Sequence, residues 1–198
     1  MSRAASDTGL SLVEVLVSLA IFGMVMGGLA SLLINDSRIN RAEQMAAETQ
    51  ANARHCLSMI TQVMRSAGWD PKNVDILPFV LDSTPLDSEQ SIEVLADLDA
   101  DGDTADADED IYIRRIGTQI QWRRSSDTSQ PFVVLADNIT NDADGDGTAE
   151  AMFVPDSGSN PTRVLVRITA RAPLPDSRTG RYFRYTVSSE VTVRKNVS

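Results

Sequence analysis

The stretch Leu10–Ile34, LSLVEVLVSLAIFGMVMGGLASLLI, decides the architecture: 25 residues carrying a single charge, Glu14. At about 1.5 Å per residue, a helix of this length reaches roughly 38 Å, enough to cross a hydrocarbon core of roughly 30 Å with some tilt. A secretory signal has a shorter apolar region, about 7–15 residues, closed by a small-residue cleavage site. Here the run is too long for that, and the polar leader MSRAASDTG (1–9) lies ahead of it. The segment therefore reads as a membrane span. An ionised carboxylate inside such a span is costly unless paired, which marks Glu14 as a functional residue by default.

Downstream, no proline occurs between Leu10 and Trp69. Ile39, Ala42, Ala46, Thr49, Ala53, Leu57, Ile60, Met64 and Ala67 follow in steps of three or four, the spacing that lines one helical face. The pattern predicts one helix from about residue 10 to about residue 67, on the order of 85 Å long. Its first half is apolar all round and its second half amphipathic, and Gly68, Asp70 and Pro71 supply the stop. Four regions result: a leader at 1–9, a membrane-spanning half-helix at 10–34, an amphipathic half at 35–68, and a head at 69–198. Gly23 and Gly27 make a GxxxG pair, which suits close helix packing and equally the ordinary tolerance of glycine in an apolar helix.

The net charge of −10 is not spread evenly. Two short stretches, 97–110 and 137–150, hold eight and five acidic residues and no basic one, leaving 18 basic against 15 acidic residues elsewhere. Local acidity of this kind asks for a cation. It also argues against nucleic acid as a partner, because no basic face interleaved with aromatics is present.

The first acidic stretch places Asp97, Asp99, Asp101 and Asp103 at relative positions 1, 3, 5 and 7, with Gly102 at 6 and Asp108 at 12. That is the spacing at which carboxylates of an EF-hand-like loop converge on Ca²⁺, the glycine permitting the sharp turn. The second offers Asp142, Asp144, Asp146 and Glu150 at positions 1, 3, 5 and 9, but Phe153 at 12, so it needs another ligand, such as Asp137, Asn138 or a carbonyl. Hard oxygen donors without His or Cys favour Ca²⁺ over zinc or copper. No helical pattern flanks either stretch, so these are expected to be structural calcium loops between strands.

Short β-rich runs bounded by turn residues occupy the head: 91–96, 110–116, 118–124 and 131–136. Two longer alternating runs, at 164–171 and 183–194, flank Pro173-Leu-Pro175-Asp-Ser-Arg-Thr-Gly180 and read as a hairpin with one buried and one polar face. The expected head is an antiparallel sheet packed on the amphipathic half of the helix, giving an α+β fold. The single cysteine, Cys56, cannot close an intrachain disulfide, and the single histidine, His55, excludes a multi-His metal site. Adjacent on a helix, these two point about 100° apart and do not form a nucleophile–base pair. With no GxSxG, HExxH or phosphate-binding glycine loop, an enzyme is not expected.

Polar leader, Gly9-Leu10-Ser11-Leu12-Val13-Glu14 and the apolar run together resemble the processing segment of type IV pilin-like proteins. The resemblance implies cleavage after Gly9 by a membrane-embedded prepilin peptidase, methylation of the new N-terminus at Leu10, and Glu14 as the assembly residue, paired in the filament with the α-amino group of a neighbouring subunit. Leu10 stands where many members have Phe, and Thr8 where many have a basic residue. The run Arg65-Ser-Ala-Gly68-Trp69, the Asp-rich hairpin and the stretch 170–181 are similar to the PilW-like branch of minor pilins. The implied fold is pilin-like. The implied role is a structural subunit or initiator of a type IV pilus, anchored first in the bacterial inner membrane with its head in the periplasm and partnered by other pilin subunits. Two alternatives share parts of this logic: a minor pseudopilin of a type II secretion system, of GspJ type, and a membrane-tethered calcium-dependent binding module outside any filament.

Overall fold

The computed structural model describes residues 11–81, 90–106, 108–124, 129–157 and 161–193. A single long helix, α1 (Leu12–Met64), opens the chain. Among the described residues eight strands follow: β1 (Phe79–Val80), β2 (Ser91–Leu95), β3 (Asp110–Ile116), β4 (Gln119–Arg123), β5 (Val133–Ala136), β6 (Phe153–Pro155), β7 (Arg163–Arg171) and β8 (Arg184–Thr192). The chain divides into two compact units, 1–43 and 44–198, each of which takes part of α1.

In the first unit α1 is apolar on every side as far as Ile34. Its most apolar 18-residue window has a mean hydropathy of 2.2 and no buried residue, so the helix is long and apolar enough to cross a membrane. Side chains such as Leu16, Ile21, Phe22 and Leu32 are more than half exposed. A helix hydrophobic all round cannot satisfy itself in water and calls for lipid or other helices around it.

In the second unit the helix is amphipathic, as its spacing requires. Thr49, Ala53, Leu57, Ile60 and Met64 are buried in the expected stripe, joined by Cys56 and Thr61. Ala53, Cys56, Leu57, Ile60 and Met64 form one core with Phe79, Ile92, Val94, Ile113, Ile120, Ile139, Phe153, Val164, Val166 and Ile168. Burying side chains of the size of Ile60 and Met64 stabilises by about 1.5–3 kcal/mol each, which is what holds this part of the helix to the strands. Of the expected stripe, Ala42 and Ala46 are only partly buried and Ile39 is 41% exposed.

The helix ends at Met64, three residues before the predicted end. A tight turn replaces its last turn, with Ala67 N–H donating to the Met64 carbonyl at 3.3 Å. Gly68 takes φ +71°, a left-handed conformation suited to glycine, and its N–H reaches across to the Leu95 carbonyl at 2.9 Å.

The strands are antiparallel throughout but make two sheets where one was expected: β1-β2-β3-β4-β5 and β6-β7-β8. They meet at one isolated bridge, Ile139–Ala170. The hairpin read from the alternating runs is present as a nine-pair β7–β8 ladder, from Arg163–Thr192 to Arg171–Arg184. Beyond the reach of β6, residues 138–141 complete the free side of β7. Arg171 N–H donates to the Asn138 carbonyl at 2.8 Å, and Thr140 N–H to the Thr169 carbonyl at 2.9 Å. Both short strands, β1 and β6, were missed by the periodicity, which needs more than two or three residues to register.

Candidate functional site

The three segments singled out by sequence are the start of α1 and the two acidic loops. Gly9 and Leu10, the expected processing pair, lie outside the described residues. The Ser11 carbonyl accepts from the N–H groups of Glu14 at 2.9 Å and Val15 at 3.2 Å, which makes Ser11 the N-cap and Glu14 the third helical residue. A carboxylate there faces the positive end of the helix dipole, at the position a capping box assigns to glutamate. A Cβ placed on Gly23 or Gly27 would meet nothing within 4 Å in the chain itself.

The first acidic loop joins β2 to β3. Its alternating aspartates fold it through a succession of Asx turns. Asp99 Oδ1 accepts from Asp101 N–H at 3.0 Å, Asp101 Oδ1 from Asp103 N–H at 2.9 Å, and Asp103 Oδ1 from Ala105 N–H at 2.8 Å. Asp97, fully buried, accepts from Asp101 N–H at 3.1 Å and Gly102 N–H at 3.1 Å. Gly102 adopts φ +96°, as the sharp turn requires. Ligand oxygens of Asp97, Asp99, Asp101 and Glu109 all lie within 4.8 Å of one another.

Asp103 and Asp108, expected in the same set, lie outside this group. Asp108 is exposed and pairs with Arg124 at 3.5 Å. Glu109 was missed because the EF-hand register counts Asp108 as position 12. A usable signal was present, since glutamate is the longer side chain that position prefers and Glu109 is the one glutamate of the loop. Glu109 is 3% exposed; its Oε1 accepts from Leu98 N–H and, at 3.0 Å, from Asp99 N–H, while its buried Oε2 has no hydrogen-bond partner. The crowding of like charges is felt beyond the group: the Asp99 carboxylate, with burial and then Asp101 and Asp103 adding, raises Asp106 above the ordinary aspartate range.

This loop is fastened to the chain that leaves the helix. Asp97 N–H donates to the Trp69 carbonyl at 2.8 Å, and Lys72 Nζ donates to the Asp101 carbonyl at 2.5 Å. Asp70 braces the same segment by accepting from the N–H groups of Val74 at 3.0 Å and Asp75 at 2.8 Å.

The second loop, between β5 and β6, brings Asp142, Asp144 and Asp146 within 4.8 Å of one another. Glu150 is not in this group; its carboxylate faces Arg167 at 3.7 Å. Asp142 Oδ1 accepts from Gly145 N–H at 2.6 Å, and Asp142 Oδ2 lies 3.7 Å from Arg184 Nη2. The Arg184 guanidinium presses so close that a Cβ at Gly145, itself at φ +87°, would come within 2.7–2.9 Å of it. At the base of the loop Glu150 N–H donates to the Asn141 carbonyl at 2.6 Å, closing it without a ligand.

Elsewhere, Cys56 is buried in the core and its thiol is pushed up to about 12 by desolvation, while neighbouring His55 is exposed. A thiol held that far above neutrality is an inert packing group at physiological pH. A groove of about 310 Å³ is lined by Met59, Ile60, Gln62, Val63, Ile113, Trp122 and Leu135, side chains that carry no acid, base or nucleophile.

Comparison with known families finds the prokaryotic N-terminal methylation motif at residues 5–30. The match takes in Gly9, Leu10 and Glu14 and stops within the apolar run. No curated protein and no solved structure matches the chain. The chain thus carries a type IV pilin-like N-terminal signal that runs into the apolar part of a long helix, in a chain of α+β architecture.

Proposed function

We propose that the protein is a minor pilin, a structural subunit or assembly initiator of a type IV pilus, of the PilW-like branch. One observation carries this reading: a methylation motif over 5–30 coincides with a glycine before the apolar run, a carboxylate five residues after it, and a helix apolar on every side. Each part has a task. A prepilin peptidase cuts after Gly9 and the new N-terminus at Leu10 is methylated. The apolar helix holds the precursor in the bacterial inner membrane with the head in the periplasm, then exchanges lipid for the helices of neighbouring subunits. Because the apolar window of this helix has no buried residue among the described residues, that exchange replaces one apolar environment with another at little cost.

Glu14 supplies the polar interaction that sets register. Inside a low-dielectric bundle an unpaired carboxylate is strongly disfavoured, so a subunit is driven to the position where the α-amino group of its neighbour meets it. The residue also sits where a capping box places glutamate, and two substitutions separate the roles. Glu14→Gln keeps the helix start and removes the charge; Glu14→Ala removes both. The pilin reading expects both variants to accumulate as processed monomers in the inner membrane and to be absent from sheared filaments. Incorporation of the Gln variant at wild-type level would assign Glu14 to capping and overturn the assembly role.

Mass spectrometry of the native protein tests the processing step: the reading requires a methylated Leu10 start, and a retained Met1 would refute it. Deletion distinguishes the pilus from its secretion counterpart. A pilus subunit is expected to remove surface pili and leave exoprotein secretion intact, whereas loss of secretion with pili intact would make the protein a type II minor pseudopilin.

A further inference from the structure

We propose that the two acidic loops, alike in sequence, have different counter-ions: the first is a Ca²⁺ site formed by Asp97, Asp99, Asp101 and Glu109, and the second is neutralised internally by Arg184.

In the first loop four carboxylate oxygens lie within 4.8 Å of one another. Two oxygens on opposite sides of a Ca²⁺ ion, each about 2.4 Å from it, are separated by about this distance, so the spread of the four is the one a shared ion requires. Burial sharpens the demand. Asp97 is fully buried and Glu109 is 3% exposed, and Glu109 Oε2 is an acceptor without a donor. Leaving a buried charged oxygen unpaired is among the costlier arrangements in a folded chain, and a hard cation satisfies it. Two cations beside the loop are engaged otherwise: Lys72 with the Asp101 carbonyl and Arg124 with the outlying Asp108. Four carboxylates, some bidentate, with water completing six to eight oxygens, make a set that selects Ca²⁺ over softer metals.

The second loop repeats the Asx turns but not the demand. Its one largely buried carboxylate, Asp142, has its oxygens taken by Gly145 N–H at 2.6 Å, by Gly147 N–H at 3.3 Å and by the Arg184 guanidinium at 3.7 Å. Glu150, the expected fourth ligand, is turned to Arg167. Gly145 lies directly under this guanidinium, and a Cβ there would push the flexible end of Arg184 aside.

The consequence lies where the helix hands over to the head. The Ca²⁺ loop is bonded through Asp97 to the Trp69 carbonyl and precedes β3, so the ion fixes the segment after the helix, the loop and the sheet together.

Full-length protein in detergent, stripped with EDTA and titrated with CaCl₂ by calorimetry, tests the proposal, with thermal unfolding read from tryptophan fluorescence. One Ca²⁺ per chain is expected, with a rise in Tm on adding calcium. Glu109→Gln and Asp99→Asn are each expected to weaken binding at least about tenfold and to lose the rise, while unfolding in EDTA no earlier than wild type, because each relieves like-charge repulsion. Asp144→Asn with Asp146→Asn is expected to leave stoichiometry and affinity unchanged. Arg184→Gln is expected to admit a second, weaker ion. Zero or two ions in the wild type, a calcium response retained by both first-loop variants, or its loss in the second-loop variant would overturn the proposal. A single ion in Arg184→Gln would overturn the role given to Arg184.

Discussion

Replacing Asn141 with alanine tests how the free side of β7 is held. Asn141 is fully buried, Oδ1 accepts from Thr169 N–H at 2.9 Å, and Nδ2 donates to the Arg167 carbonyl at 3.0 Å and more weakly to Glu150 at 3.4 Å. Its side chain thus substitutes for a missing ladder partner on β7, and alanine leaves one buried N–H and one buried carbonyl short of a partner. Each unsatisfied group costs about 1–3 kcal/mol. Asn141 also sits at φ +48°, where asparagine is better tolerated than alanine. Together about 2–6 kcal/mol should be lost, which for a chain of this size lowers Tm by roughly 4–24 °C.

The assay is thermal unfolding in detergent followed by the fluorescence of Trp69 and Trp122, and a second variant guards against a trivial explanation. Asn141→Asp is nearly isosteric and keeps the acceptor for Thr169, but turns an oxygen toward the Arg167 carbonyl in place of a donor. It should be destabilised at least as much as Asn141→Ala. If alanine shifts Tm by less than about 2 °C, or the aspartate variant matches wild type, the inventory of partners drawn for β7 is wrong.

Three other outcomes are expected. Ile60→Ala, at the fully buried centre of the helix–sheet core, should cost about 2–5 kcal/mol by denaturant unfolding, against about 0.5–1.5 kcal/mol for Ile60→Val. Cys56, its thiol raised to about 12, should resist a thiol-reactive chromogen at pH 8 in the folded protein and react fully once urea exposes it. Burial alone would raise Asp70, but hydrogen bonds from the N–H groups of Val74, Asp75, Ile76 and Asn73 outweigh it and hold its folded pKa below the ordinary value of 3.8. The stabilisation is therefore present above that value and lost as pH falls through the depressed folded pKa. Asp70→Asn should accordingly lower Tm at pH 7 and narrow the gap to wild type in acid, and a gap that widens below pH 4 would contradict the assignment.

How much of this was legible in the sequence depends on the range over which each feature is determined. The helix was readable because every turn repeats the same demand: apolar all round to Ile34, then a stripe at Thr49, Ala53, Leu57, Ile60 and Met64 that an adjacent sheet must cover. Strands of four residues or more, β2, β3, β4, β5, β7 and β8, were readable for the same reason, with ends within one or two residues of the predicted ones. The two-sheet division was not, because it rests on the β5–β6 connection passing β7 with a single bridge at Ile139, a tertiary choice without local periodicity.

The acidic loops show the same boundary at finer scale. Alternating aspartates and a glycine favour Asx turns, and both loops take them; the spacing foretold the sharp turn at the glycine but not these hydrogen bonds. What differs lies outside that spacing. Glu109 turns inward beside Asp97 as the chain enters β3, and Arg184 arrives on β8 from about forty residues further along the chain to stack over Gly145. A local motif sets where carboxylates converge, but the fourth carboxylate and the arginine are supplied by other elements. On the Ca²⁺ proposal above, two loops with one sequence pattern therefore differ in their need for an ion. Exchanging their surroundings rather than their aspartates, by removing Arg184 from one and Glu109 from the other, is the perturbation that should exchange their behaviour.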